Sequence, residues 1–133
     1  QDKVKEVLLV ERDQHLVDLA RETFRRHDLS HLKAEAMSTE AFFKSTLAKN
    51  LSPATSVVVD PPRAGLGKTV CEKLSRLSIK QLIYVACDPA TQARDVKWLS
   101  EMGGFVISKA ALFDLYPNTH HMETVLVLER AQL

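Results

Sequence analysis

The strongest constraint on the fold of this chain is a pattern in which short apolar runs alternate with segments of helical periodicity. Residues 7–10, 56–59 and 81–86 are apolar runs with the length of buried strands, and 32–36 is a weaker strand candidate. Helical segments separate these runs along the chain. The alternation is typical of βαβ units and predicts one α/β domain with a mostly parallel sheet over residues 1–133.

The helix boundaries carry recognisable capping residues. Asp13 is the predicted N-cap of the first helix, and Asp88 followed by Pro89 begins a helix that ends at Gly103 and Gly104. A further helix is predicted over 70–77, and two strands over 105–112 and 123–129. The side chains predicted to face inward are Leu16, Leu19, Ala20, Thr23 and Phe24 in the first helix and Ala41, Phe42 and Leu47 in a second helix over 39–48.

Composition excludes several classes of protein. The 18 Lys and Arg residues against 17 Asp and Glu leave a net charge of +1, which argues against a dedicated polyanion-binding module. Two cysteines are too few for a disulfide scaffold or a four-thiolate cluster. No apolar run approaches the roughly 18 residues that span a bilayer. We therefore expect a cytoplasmic protein without a membrane partner.

Three candidate site residues lie at the ends of predicted strands, where open α/β sheets bind their ligands: Glu11, Asp60 and Cys87. Glu11 could accept hydrogen bonds from ribose hydroxyls, although a solvated strand end is the commoner role of such a residue. Asp60 begins the sequence DPPRAG at 60–65, whose two prolines form a rigid loop or a plain turn. Arg63 in this loop could contact a phosphate or uracil carbonyls, or form a structural ion pair.

Cys87 is the most informative single residue, and two interpretations of it stay open. A lone cysteine is more often a small buried apolar side chain. Cys87 also ends a strand and precedes a helix N-terminus, whose partial positive charge favours a thiolate, whereas an ionised Asp88 opposes it.

Three motifs resemble those of the S-adenosylmethionine-dependent RNA 5-methyluridine methyltransferases. The sequence VACDPATQARD at 85–95 is similar to the family signature V-S-C-N-P-x-T-L-A-R-D, and DPPRAG at 60–65 is similar to D-P-P-R-x-G. The sequence DLYPNTHHMETV at 114–125 resembles D-x-F-P-x-T-x-H-x-E-x-V. Since the motifs occur in the family's order and at similar spacing, the resemblance extends from the first strand nearly to the last residue.

The resemblance implies a Rossmann-like class I methyltransferase fold, S-adenosylmethionine as cofactor and tRNA or rRNA as partner. It makes Cys87 the nucleophile and Glu123 the proton-abstracting base. The implied cofactor contacts are Glu11, Asp60 and the position of Ser38, and the implied substrate contacts are Arg63 and His121. Ser38 lacks the carboxylate or amide usual there, and the signature departs at Ala86 and Asp88. His120 and His121 are a weak metal candidate, and we expect no metal.

The chemistry explains why a thiol and a carboxylate are needed. Uracil C5 is a poor nucleophile toward a methyl sulfonium, but a thiolate that adds at C6 makes C5 enolate-like. After methyl transfer C5 still carries its proton, and a base such as Glu123 removes it so that the thiolate can leave.

The resemblance also implies that the fold is incomplete here. The family's first strand and glycine-rich loop have no counterpart, because the four glycines are Gly65, Gly67, Gly103 and Gly104. We therefore expect this chain to be the C-terminal part of a methyltransferase catalytic domain. By itself, the chain should bind S-adenosylmethionine weakly or not at all. The strands at 7–10 and 57–59 would each keep an unpaired edge, which we expect to be repaired by direct pairing or by homodimerisation.

Two other functions stay open. An amino-group methyltransferase also carries D-P-P after its fourth strand, but usually with an aromatic residue where Arg63 stands. A non-catalytic methyltransferase-fold domain for RNA or protein contacts would explain the missing glycine loop, but not the presence of both Cys87 and Glu123.

Overall fold

The computed structural model describes residues 4–115, 117–119 and 122–131, and its helices and strands largely alternate. The strands are β1 (Val7–Glu11), β2 (Leu32–Ala36), β3 (Ser56–Val59), β4 (Gln81–Ala86), β5 (Phe105–Phe113) and β6 (Glu123–Arg130). The helices are α1 (Gln14–Arg26), α2 (Thr39–Lys44), α3 (Thr46–Lys49), α4 (Lys68–Ser75) and α5 (Pro89–Gly103). The predicted α/β class is confirmed. The chain divides into two units, residues 1–49 and 50–133.

The first unit is a single βαβ element. β1 and β2 pair in parallel from Val7 opposite Leu32 to Glu11 opposite Ala36, and α1 connects them. The Arg21 guanidinium donates two hydrogen bonds, of 3.0 and 2.7 Å, to the carbonyl oxygen of Ala34 on β2. This contact fixes the helix against the strand pair.

The predicted buried face of α1 is partly wrong. Leu16 and Leu19 are about half exposed, whereas Val17 is fully buried. Val17, Ala20 and Phe24 share one stripe at helical spacing, and this stripe is the less exposed one. Because the neighbouring stripe is also apolar, periodicity alone does not decide which of the two turns inward.

The single helix predicted over 39–48 is also wrong, since the structure breaks it at Ser45. Ser45 has an extended backbone, with ψ of 164°, between α2 and α3. Its hydroxyl donates to the carbonyl oxygen of Phe42 at 2.6 Å and accepts from the amide of Ala48 at 3.4 Å. The serine thus competes with the helical backbone for hydrogen bonds. Ala41, predicted inward, is exposed.

The second unit holds a four-stranded sheet in the order β3-β4-β6-β5. β3 and β4 are parallel, whereas β6 is antiparallel to both of its neighbours. Including the β1–β2 pair of the first unit, the described strands form two parallel and two antiparallel pairs. The strand pairing is therefore mixed rather than mostly parallel. The reason is that none of the described residues between β5 and β6 is helical, and β6 enters the sheet between β4 and β5 in the opposite direction.

The two strands predicted to have open edges lie in separate sheets. Among the described residues, β1 has β2 as its hydrogen-bonded neighbour and β3 has β4. Repair of the open edges, by direct pairing or by a second copy of the chain, stays a prediction.

Arg130 fastens the end of β6 to the ends of two helices. Its guanidinium donates to the carbonyl oxygens of Ser75 and Leu77, each at 2.8 Å, and to that of Gly103. These carbonyls lie at or just after the C-termini of α4 and α5, where backbone acceptors lack helical partners. The arginine therefore holds both helices in place against the sheet.

The core of the second unit contains two ionisable groups that stay neutral. Cys71 on α4 and Tyr84 on β4 are fully buried beside Leu82, Leu99 and Leu128. Burial, helped by the negative charge of Asp95, raises the pKa of Cys71 to about 12. Burial and the hydrogen bond that Tyr84 donates to Asp95 raise the pKa of the tyrosine as well.

These raised pKa values predict a loss of stability in alkali. Above about pH 9 the unfolded chain releases the Cys71 proton while the folded chain keeps it, so the free energy of unfolding falls by at most about 1.4 kcal/mol per pH unit for this group. Urea unfolding at pH 8 and pH 10.5 measures the change. We expect Cys71→Ala to be less stable at pH 8 but to lose less stability on going to pH 10.5. An equal loss in both proteins would contradict the assignment.

Candidate active site

The loop after β3 carries Asp60 and Arg63 on an exposed, tightly closed turn. Asp60 directly follows the strand, and the amide of Gly65 donates to the carbonyl oxygen of Pro62 at 2.8 Å. Gly65 has a φ of 77°, which favours glycine. A Cβ atom there would lie 2.4 Å from Oδ2 of Asp95, so side-chain space also requires glycine. The loop is thus fitted closely to the side chain of Asp95.

Three side chains of α5 hold this loop. Thr91 Oγ1 lies 3.0 Å from the carbonyl oxygen of Arg63, and Arg94 donates to the carbonyl oxygen of Ala64 at 2.8 Å. The third contact is the shortest: the amide of Leu66 donates to Oδ2 of Asp95 at 2.6 Å. The loop motif at 60–65 and the helix motif at 85–95 are therefore one structural unit.

Asp95 is the buried centre of this unit. Its side chain is fully buried, and Oδ2 accepts from Tyr84 Oη at 2.7 Å as well as from the loop. Arg94 pairs with Oδ1 at 2.9 Å, and this hydrogen bond raises the pKa of the arginine. The carboxylate therefore has partners on β4, on the loop and on its own helix, as a buried charge requires.

Cys87 lies between the end of β4 and the start of α5 and is partly exposed. The next residue, Asp88, accepts from the amides of Ala90 and Thr91 at 3.0 and 2.9 Å. These bonds hold the pKa of Asp88 below its usual value, so the residue is an ionised N-cap, as the sequence predicts. The free amides at the helix N-terminus thus serve Asp88 rather than the neighbouring thiol.

The register of β4 and β6 brings Cys87 and Glu123 to the same end of the sheet. The last pair of this antiparallel ladder is Ala86 opposite Thr124, and Cys87 and Glu123 are the next residue of each strand. Because side chains alternate across a sheet, both belong to the face opposite that of Ala86 and Thr124. A thiol and a carboxylate that are 36 positions apart in the chain therefore lie at the same end of one strand pair.

Gln92 on α5 contacts both β4 and β6. It is nearly fully buried, and its Nε2 donates to the carbonyl oxygen of Tyr84 at 2.9 Å. Thr124 Oγ1 lies 2.7 Å from Gln92 Oε1 and 3.1 Å from the carbonyl oxygen of Ala86. One threonine proton can serve one of these acceptors at a time. Gln92 thus ties α5 to the residue beside Glu123.

The first unit carries the two remaining cofactor candidates. Glu11 ends β1, and its Oε1 accepts from the amide of Asp13 at 2.9 Å, which orients the carboxylate. The backbone oxygen of Glu11 accepts from Met37 at 2.9 Å. Ser38 is the N-cap of α2, where its hydroxyl accepts from the amide of Ala41 at 3.2 Å. Ser38 therefore has a structural role in this unit.

The histidine candidates lie outside the described residues. His120 and His121 belong to positions of which the structure gives no account. Within the described ranges, no group of three or more His, Cys, Asp and Glu residues could hold a metal ion.

The sequence prediction missed the polar residues that organise the site, namely the buried Tyr84, Gln92 and Asp95 and the exposed Arg94. A signal for two of them was present. The positions of α5 that are buried are Gln92, Asp95 and Leu99, at helical spacing. Two polar residues on the buried stripe of a helix indicate partners elsewhere in the fold.

The comparisons with known proteins agree with this geometry. The family model of the tRNA (uracil-5-)-methyltransferases matches residues 3–131. The chain belongs to this family. A solved Pyrococcus abyssi tRNA (uracil-54, C5)-methyltransferase in complex with S-adenosyl-L-homocysteine superimposes on this chain with a TM-score of 0.71 at 24% identity, over 95% of this chain and 34% of that one. The Rossmann-like class I methyltransferase fold is therefore confirmed.

Curated relatives are much longer than this member of the family. An uncharacterized RNA methyltransferase of Treponema denticola is 34% identical over 97% of this chain and 34% of its own length. The 23S rRNA (uracil(747)-C(5))-methyltransferase RlmC of Xenorhabdus nematophila is 33% identical over 96% of this chain and 32% of its own length. The chain thus spans about a third of each of these two relatives.

The different burial of the two thiols predicts different reactivity. Cys87 is partly exposed, whereas Cys71 is fully buried with a raised pKa. We expect iodoacetamide at pH 8 to alkylate Cys87 in the folded chain and to reach Cys71 only after urea unfolding. Peptide mass spectrometry assigns the modified residue, and Cys87→Ala is the control, which should take up no label until unfolded. Labelling of Cys71 in the folded chain would contradict this account.

Proposed function

We propose that the protein carrying this chain transfers a methyl group from S-adenosylmethionine to C5 of a uridine in tRNA or rRNA. The observation that carries the proposal is the position of Cys87 and Glu123, one residue beyond the last pair of the β4–β6 ladder and beside the helix that holds the Asp60 loop. A nucleophile and a base on one strand pair are what substitution at uracil C5 needs.

Cys87 begins the reaction. Its thiolate sulfur bonds to C6 of the uracil, and the electron pair of the C5–C6 double bond moves toward C5 and the neighbouring carbonyl. S-adenosylmethionine would supply an electrophilic methyl group on its sulfonium sulfur, and that sulfur would depart as a neutral thioether when the methyl carbon bonds to C5. C5 takes this methyl group with its new electron pair.

Glu123 completes the reaction. A carboxylate oxygen removes the remaining C5 proton, the electrons restore the C5–C6 double bond, and the C6–S bond breaks to return the thiolate. Glu123 is half-buried at the first position of β6. A strand position is more rigid than a loop position, which suits a base that must reach one carbon atom.

The residues present fit part of the cofactor. Glu11 is a half-buried carboxylate at the end of β1 that uses Oε1 for the amide of Asp13, and a carboxylate so held suits the two hydroxyls of a ribose. Asp60 offers a second carboxylate at the end of β3. Ser38 would contribute less, because its hydroxyl already caps α2. The four glycines, Gly65, Gly67, Gly103 and Gly104, form no G-x-G loop of the kind that would cradle the cofactor.

Contacts with RNA are assigned to the exposed loop. Arg63 is exposed beside Asp60 and would hold a phosphate or the uracil carbonyls, and His121 is the second substrate candidate. We place the enzyme in the cytoplasm, as the low cysteine content favours. An amino-group methyltransferase would leave Cys87 and Glu123 without a role. A non-catalytic domain is the competing function that the experiment must exclude.

RNA containing 5-fluorouridine at the target position tests the proposal in the full-length protein. Fluorine cannot leave C5 as a cation, so we expect a covalent protein–RNA complex in the presence of S-adenosylmethionine that survives denaturing electrophoresis. Mass spectrometry of the digested complex should locate the bond at Cys87.

Two variants and a matched control sharpen this test. Cys87→Ala should form no complex and should transfer no methyl group. Glu123→Gln should form a complex even with ordinary RNA, because proton removal slows by about 10²–10⁴-fold. Cys71→Ala, which removes the buried thiol, should behave like the unmodified protein. A crosslink at Cys71, or methyl transfer by Cys87→Ala, would refute the mechanism.

A further inference from the structure

We propose that Asp95 and Gln92, the two buried polar side chains of α5, are positioning residues that set the Asp60 loop and Glu123 against Cys87. The inference rests on the proposed function for the roles of Cys87 and Glu123. It assigns to the interior of one helix the task of fixing the relative position of the groups that react.

Helix α5 can position both the loop and β6 relative to Cys87, because it begins two residues after that cysteine. Cys87 stands two residues before Pro89, the first residue of α5, and the Asp88 cap fixes the direction in which the chain enters the helix. Gln92 lies one turn into the helix, and Asp95 nearly two turns in. Contacts made by these side chains are therefore made at a set distance from the thiol.

Asp95 controls the loop. Its Oδ2 accepts the amide of Leu66 at 2.6 Å, and a Cβ on Gly65 would lie 2.4 Å from the same oxygen. Arg94 adds a bond from its guanidinium to the carbonyl oxygen of Ala64 while pairing with Oδ1 of Asp95. The loop therefore packs against α5 in one closely fitted position, which holds Asp60 and Arg63 at the end of β3.

Gln92 controls the strand of the base. Its two amide atoms reach different strands: Nε2 donates to Tyr84 on β4, and Oε1 lies 2.7 Å from Thr124 Oγ1 on β6. Thr124 is adjacent to Glu123. A shift of β6 along β4 would break this bridge, so the glutamine fixes where the carboxylate of Glu123 stands relative to Cys87.

Both residues occupy positions where an apolar side chain would pack more simply. Gln92 is 3% exposed and Asp95 is fully buried. Buried hydrogen bonds have strict geometry, whereas apolar contacts tolerate sliding. The polar residues therefore select one arrangement of loop, helix and strand.

The test uses variants of the full-length protein that each remove a different hydrogen bond. Asp95→Asn keeps the size of the side chain but replaces one acceptor oxygen by a donor. A nitrogen at the Oδ2 position leaves both Leu66 and Tyr84 without their acceptor, and a nitrogen at the Oδ1 position loses Arg94, which also binds the loop at Ala64. We expect kcat for methylation to fall by about 10–100-fold, with slower formation of the 5-fluorouridine complex, since a displacement of about 1 Å can cost 10²-fold. Glu101→Gln is the matched control: it makes the same carboxylate-to-amide change on the exposed side of α5, where Glu101 lies 3.9 Å from Lys97, and its kcat should stay within about twofold.

Thr124→Val tests the contact between Gln92 and β6, next to Glu123. The substitution keeps a β-branched side chain and removes the hydroxyl that meets Gln92. We expect it to form the covalent complex at the unmodified rate but to accumulate that complex on ordinary RNA, because proton removal by a displaced Glu123 is slower. A merely structural role would lower both steps together through loss of folded protein. All rates are therefore measured well below each variant's unfolding temperature.

Amide hydrogen exchange of the 133-residue chain tests the loop contact without any activity. Asp95→Asn should speed exchange at Leu66, and Glu101→Gln should leave it unchanged. If Asp95→Asn does not fold, Thr91→Val and Arg94→Gln, which each remove one bond to the loop, take its place with the same expected direction. Unmodified kcat in the loop variants, or equal effects of Thr124→Val on both steps, would overturn the inference. Absence of methylation by the unmodified enzyme would instead refute the proposed function, and exchange at Leu66 would still decide the loop contact.

Discussion

The buried carboxylate of Asp95 is the interaction on which the organisation of the second unit depends. It receives a hydrogen bond from Tyr84 in the middle of the sheet, another from the backbone of the loop after β3, and an ion pair from Arg94. A charge removed from water needs all of its acceptor positions satisfied, so the sheet, the loop and α5 form together or not at all. The glycine at position 65 belongs to the same requirement, because any larger residue would displace the loop from the carboxylate.

Much of this architecture can be predicted from the sequence, because local signals and tertiary structure agree. Strands β2, β3 and β4 have the predicted bounds, and the runs of β3 and β4 are each followed within three residues by an Asp-Pro pair that stops the strand. Asp13 and Asp88 cap helices as expected, because an aspartate before a helical segment has one low-energy way to use its side chain. The site motifs are contiguous in sequence, and strand ends place them on one edge of a sheet.

The parts that could not be predicted depend on partners distant in the chain. Nothing local to α5 says that Asp95 meets the amide of Leu66, or that Gln92 meets Thr124 32 positions later. The direction of β6 depends on which strands it lies between, and the break at Ser45 depends on a competition between two nearly equal sets of hydrogen bonds. Each case is decided by energies of about 1 kcal/mol, too small for a sequence pattern to indicate.

The central claim is that Cys87 and Glu123 act in sequence on one uridine, the thiol at C6 and the carboxylate on the proton at C5. RNA labelled with tritium at C5 of the target uridine measures this directly in the full-length protein with S-adenosylmethionine. The account predicts one tritium released for each methyl group gained, no release by Cys87→Ala, and methyl gain ahead of tritium release in Glu123→Gln. Tritium release by Cys87→Ala, or release by Glu123→Gln at the unmodified rate, would contradict it.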